Sequence, residues 1–156
     1  MADVVILEDG EGLLKAVRPW LRPGAELLVV TPGALKRELD LPGACRTALL
    51  PGECGGAFQH LRADCAVSYG AGPKDTLTLS SRQGDLLWCA IQRELVTVDG
   101  FIVDRQEFPL RLPDGMNPLI GLAAAGTLLL LGVEPGKLEH LLTEEKTPPR
   151  LGRGER

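Results

Sequence analysis

A chain of 156 residues with 44% hydrophobic content fits one domain able to bury its own core, and extended disorder is excluded away from the ends. A formal charge of −4, with no Lys/Arg run before the last residues, excludes the positive footprint that nucleic acid requires. Aromatic residues are only 4%, so bases would find little to stack on, and the core must come from Leu, Val, Ile and Ala.

Val4-Val-Ile-Leu is a short apolar strand, and Asp9-Gly-Glu-Gly turns the chain. Leu13, Leu14, Val17 and Leu21 recur at helical spacing, which predicts a helix over 12–22, stopped by Pro23-Gly24. Glu26 to Thr31 is a second strand. Strand, helix and apolar strand in thirty residues form a βαβ unit of a parallel sheet covered on both sides. Thr31-Pro32 has the cap-then-Pro form of a helix start, with a short helix to Leu39. Arg46–Leu50 is a weaker strand, 51–56 a Gly-rich loop, and 57–62 a short helix. Cys65–Tyr69 is a further strand, and Gly70-Ala-Gly-Pro-Lys74 turns into Asp75–Ser80, whose apolar and polar residues strictly alternate. Ser80-x-x-Gln83 has capping-box spacing, and Leu87, Ile91 and Leu95 share one helical face, which together predict a helix over 81–95.

Residues 96–100 are a strand fragment or turn, and 101–110 two half-strands, too polar at Asp104-Arg105-Gln106-Glu107 for a central parallel position. Pro109 and Pro113 suit an edge or a loop. Asn117-Pro118 opens an apolar helix that Gly132 ends, and Pro135 opens a last helix with Leu138, Leu141 and Leu142 inward. The apolar span Leu119–Val133 holds 15 residues, against the ~20 that a bilayer needs, so a core helix is expected and no membrane partner. Because that helix is apolar around most of its circumference, a homo-oligomer is expected to cover what the sheet does not.

The fold expected is α/β and three-layered: a mostly parallel, Rossmann-like sheet with helices on both faces and room for an antiparallel edge strand. Residues 1–146 form the single domain and 147–156 a flexible tail. The first ten residues carry acids and no basic segment, so no signal peptide is expected. The cysteines at 45, 54, 65 and 89 make no C-x-x-C pair. A cytoplasmic location with buried thiols and no metal site follows.

No catalytic signature is present. Gly70-Ala-Gly72-Pro-Lys74 lacks the Gly directly before Lys of a phosphate loop, and Gly10/Gly12 lack the third glycine of a dinucleotide fingerprint. No cofactor can be named. A Ser nucleophile would have to recruit His60 or His140 from a distance, and pairs of His60 with Cys54 or Cys65 are the nearest thiol alternative. The best candidate is an anion site where the 68–82 segment passes from strand to predicted helix, since helix-start N–H groups favour anions. Its residues are Ser68, Tyr69, Gly70, Lys74, Asp75, Thr76, Ser80, Ser81 and Arg82, with Arg105 as a bidentate carboxylate or phosphate grip. Ordinary capping and a solvated Lys explain the same residues. The function expected is non-catalytic binding of a small anionic ligand or a protein partner. The alternative is a small transferase or hydrolase, which requires Lys74, Asp75, Ser80, Arg82 and Arg105 to converge on one pocket.

Overall fold

A computed structural model describes residues 3–36 and 39–143. The tail expected over 147–156 lies outside the described residues. The strands are β1 (Val4–Leu7), β2 (Leu27–Val30), β3 (Ala44–Pro51), β4 (Arg62–Gly70), β5 (Leu77–Gln83), β6 (Leu86–Ile91), β7 (Leu95–Val96), β8 (Ile102–Val103) and β9 (Gln106–Arg111). The α-helices are α1 (Gly12–Val17) and α2 (Pro118–Leu130), and 3-10 turns occupy Arg18–Trp20, Pro32–Lys36 and Pro135–Lys137.

The fold is α/β. Seven strands form one sheet in the order β1-β2-β3-β4-β5-β6-β9, while β7 and β8 make a separate antiparallel ribbon. The first five strands are parallel, and β6 and β9 add antiparallel pairings at one side. Pro109 lies in β9, the edge strand, where its missing N–H is tolerated.

Helices on both faces, and the order reversal of a doubly wound sheet, are not found among the described residues. Strand order follows chain order, and α1 and α2 both bury their side chains in one cluster, with Leu27, Val29, Leu49 and Val67 beneath them. The other face is closed by a smaller cluster, in which Leu28, Val30 and Ala48 meet Ala34, Leu35, Phe58 and Leu61. The connection between β3 and β4 on that side carries Gly52, Gly55 and Gly56, which leave little uninterrupted chain for an α-helix. Of the helix expected over 32–39, Pro32–Lys36 is a 3-10 turn and 37–38 lie outside the described residues; the helix expected over 57–62 is a series of turns, and the one after Pro135 a 3-10 turn.

The helix predicted over 81–95 is a correction. The segment forms the end of β5, a turn at Gly84-Asp85, and β6. A spacing of four, as in Leu87 and Ile91, satisfies a period of 3.6 and a period of two equally well. Cys89 between them is fully buried, whereas Trp88 is 36% exposed, and that alternation belongs to a strand. Gly84, at φ 62°, is the first of two loop residues between the paired Gln83 and Leu86, the position that a type II′ hairpin reserves for glycine.

β4 and β5 pair only through Tyr69–Leu77 and Gly70–Thr78. β5 therefore starts where β4 ends, and β5, β6 and β9 extend beyond the carboxyl ends of the parallel strands. α2 starts as its sequence implies: Asn117 is extended, its Oδ1 accepts from the Leu119 N–H at 2.8 Å, and Pro118 opens the first turn. From Gly121 to Leu130 the helix is buried within the single chain, so it needs no second subunit as cover. No helix among the described residues is long and apolar enough to cross a membrane.

Candidate functional site

The carboxyl ends of β1 to β4 lead into loops that carry Asp9, Thr31-Pro32-Gly33, Gly52-Glu53 and Ala71-Gly72. The first turn of α2 lies over them. Two cavities open there. One, of about 360 Å³, is lined by Asp9, Pro32, Gly33, Lys36, Asn117, Leu119 and Ile120. The other, of about 230 Å³, is lined by Pro32, Pro51, Gly52, Glu53, Tyr69, Gly70, Ala71, Gly72 and Leu119. Pro32 and Leu119 border both, so the two form one crevice across the ends of the parallel strands.

The helix starts on this edge differ in charge. At α1, the Glu8 carboxylate accepts from the Leu13 and Leu14 N–H groups at 3.1 and 2.9 Å, and so already supplies an anion. At α2, Asn117 is a neutral cap, Pro118 has no N–H, and the Gly121 N–H donates to the Asn117 carbonyl at 3.0 Å. The Ile120 N–H has no partner among the described residues, and Ile120 lines the larger cavity. Lys36 is the cation of that cavity, and the Asp9 carboxylate lies flat against Gly33, where any Cβ would overlap it.

The floor of the crevice is fixed by hydrogen bonds. The Tyr69 hydroxyl donates to the Val30 carbonyl at 2.7 Å, reaching from β4 across β3 to the end of β2. Burial raises the Tyr69 hydroxyl far above its ordinary pKa. Asp75, 7% exposed, accepts from the Gly72 N–H at 3.0 Å, and its carboxylate fills the space that side chains at Gly52 and Gly70 would need. The Thr76 N–H donates to Ser68 Oγ at 3.2 Å, and Gln92 Nε2 donates to the Asp75 carbonyl at 2.6 Å. Asp75, Thr76 and Ser68 thus close the loop between β4 and β5.

Of the residues singled out in the sequence, the structure brings Ser68, Tyr69, Gly70, Asp75 and Thr76 together at the end of β4. Tyr69 and Gly70 line the crevice; the other three brace its wall. Lys74 is exposed in the loop. Ser80, Ser81 and Arg82 are exposed strand residues and do not start a helix. Ser80 is the extra residue of a bulge, with its hydroxyl 3.5 Å from Glu107, and Arg82 Nε donates to the Gly84 carbonyl at 3.0 Å. Leu77 aligns through Ile91 with Gln106, and Gln83 through Leu86 with Arg111. Arg105 and Arg82 therefore lie at opposite ends of this three-stranded section, roughly 17 Å or more apart at ~3.3 Å per residue.

Thr31 Oγ1 is directed to the Leu7 carbonyl at 3.4 Å rather than capping a helix. His60 has Gln59 as its side-chain neighbour at 3.2 Å, and no Cys–His contact occurs among the described residues. Burial pushes the Cys89 thiol up to about 12, and burial, with Glu26 and Asp64 nearby, raises Cys45. No cluster among the described residues could hold a metal ion. Sequence reading missed Asp9, Lys36 and Leu119. The Asn117-Pro118 cap was visible, but nothing in the local pattern places it beside the strand ends. No protein-family model matches the chain, and no curated protein matches it.

Proposed function

We propose that this chain is a non-catalytic α/β module that binds a small ligand carrying a phosphate or carboxylate group in the crevice at the ends of β1–β4. The observation that carries the reading is the start of α2: Ile120, whose N–H has no partner among the described residues, and Lys36 line one cavity, whereas the N–H groups at the start of α1 are already taken by Glu8. A helix start with a nearby cation favours an anion, and the carboxyl ends of parallel strands are where α/β sheets take ligands. Asp9 and Glu53 on the same walls suit hydroxyl or amino donors elsewhere on that ligand. The separation of Arg82 from Arg105, and the engagement of Asp75 in the loop, speak against the convergence that a transferase or hydrolase would require.

The test is a thermal-shift screen of phosphate- and carboxylate-bearing metabolites, followed by calorimetric titration of each stabilising compound. Binding is expected to weaken at least tenfold in Lys36→Glu and to be unchanged in Arg82→Ala. If no anion stabilises the protein, or Lys36→Glu binds as well as the parent, the crevice is not an anion site.

A further inference from the structure

A cavity of about 490 Å³ opens toward the amino ends of β3 and β4, at the opposite edge of the sheet from the crevice. Arg46 and Thr47 of β3, Asp64 and Cys65 of β4, and the 96–100 turn line it. Its floor carries an unanswered polar group. Thr47 is 3% exposed, and its hydroxyl has no hydrogen-bond partner among the described residues. Thr47 lies opposite Cys65 and two residues before the core residue Leu49, so its side chain is on the face that α1 and α2 cover, where it meets the cavity. Buried hydroxyls are seldom left without a partner, and this one borders open space.

The wall formed by the 96–100 turn is fixed in advance. The Thr97 N–H donates to the Phe101 carbonyl at 2.8 Å, the Phe101 N–H donates to Thr97 Oγ1 at 3.0 Å, and the Val98 N–H donates to the Leu130 carbonyl at 2.9 Å. Arg22 holds the turn from the other side, donating to Asp99 at 2.7 Å and to the Leu131 carbonyl at 2.8 Å. A ligand would therefore have little of this wall left to order. The rim is different. Arg46 and Asp64 are exposed and stand opposite each other on neighbouring strands, whose main chains run ~4.8 Å apart. Neither forms an ion pair with a described residue. Glu26, the other acid nearby, accepts from the Arg46 backbone N–H at 3.1 Å and does not line the cavity.

We infer that this cavity binds a free α-amino acid with a short side chain that ends in a hydroxyl or an amide. Arg46 takes the carboxylate, Asp64 takes the ammonium group, and the side chain reaches down to the Thr47 hydroxyl. The charges around the cavity select this class. A simple anion would meet Asp64, Asp99 and Glu26, with Arg46 as the only unpaired cation lining the site among the described residues. A simple amine would leave Arg46 unanswered. A zwitterion answers Arg46 and Asp64 together and leaves the Arg22–Asp99 pair intact. Val96 and Val98 supply apolar cover for the ligand's carbons, and the volume falls within the ~300–1,000 Å³ of small-molecule sites.

Calorimetric titration with serine, asparagine and ethanolamine tests the site. Serine and asparagine are expected to bind, and ethanolamine, which lacks the carboxylate, roughly tenfold or more weakly than serine. Arg46→Ala, an exposed position, should weaken serine binding roughly tenfold or more, and Thr47→Val, which keeps the shape of the buried side chain, about three- to tenfold, both with the fold intact by circular dichroism. Lys36→Glu, in the crevice at the other edge, should bind serine as the parent does. A parent that binds neither amino acid, ethanolamine binding as tightly as serine, or Arg46→Ala or Thr47→Val binding serine like the parent overturns the inference. Loss of serine binding in Lys36→Glu also overturns it, by placing the amino acid in the crevice.

Discussion

Replacing Tyr69 with Phe removes one oxygen from the centre of the fold. The hydroxyl is buried and donates at 2.7 Å to the carbonyl that ends β2. Without it the Val30 carbonyl loses its side-chain donor, a loss that costs about 1–3 kcal/mol when the group stays dry. For a chain of this size each kcal/mol is worth about 2–4 °C, so Tm should fall by roughly 2–12 °C, with the urea m-value unchanged. The pH dependence supplies a second readout. Burial raises the folded-state pKa of Tyr69 above its ordinary value of 10.0. The stability tied to the neutral hydroxyl is therefore complete below pH 10 and is lost as pH rises above it, because the unfolded chain releases the proton first. The variant has no such group, so the gap between parent and variant should narrow above pH 10. Equal Tm values at neutral pH, or a gap that widens in alkali, would show that the hydrogen bond does not join β4 to β2 as described.

Two further substitutions probe the same core. Cys89, raised from 9.0 to about 12 by burial, should make unfolding easier by roughly 1 kcal/mol per pH unit between those values, since the unfolded thiol ionises first; Cys89→Ala should flatten that part of a pH-stability curve measured by urea titration. A Cβ at Gly126 would lie 2.7 Å from Leu77 Cδ1 and 2.9 Å from Leu49 Cδ2, and both leucines are fully buried. Gly126→Ala should therefore lower stability by about 1 kcal/mol, overpacking outweighing its better helix propensity, and a higher urea midpoint would contradict the packing of α2 on β3 and β5.

The parallel half of the sheet was legible because its strands are short, wholly apolar and punctuated by Gly and Pro. Val4–Leu7 and Leu27–Val30 could hardly be anything else, and Asn117-Pro118 marked the start of α2 to the residue. The hairpin was illegible for a reason internal to the pattern: Leu87 and Ile91 fit both periods, and only the burial of Cys89, a residue whose polarity is ambiguous, decides between them. That one ambiguity moved Ser80, Ser81 and Arg82, three of the ten residues of the expected site, from a supposed helix start to an exposed strand. Lys36 and Asp9 were beyond local reading, because what makes them neighbours is the alignment of strand ends.

The position of α2 follows from strand direction. β6 runs against β5, and β9 runs against β6, so β9 points the same way as the parallel strands and its end, Arg111, faces their carboxyl side. A helix that follows such a strand and packs back on the sheet must begin on that side, as α1 does after β1. Two helix starts are thereby delivered to one edge by topology alone. What distinguishes them is a single side chain: Glu8 reaches the N–H groups of α1, whereas α2 begins with the neutral Asn117. The proposed anion site lies at the start of α2 because the chain supplies an anion of its own only at the start of α1.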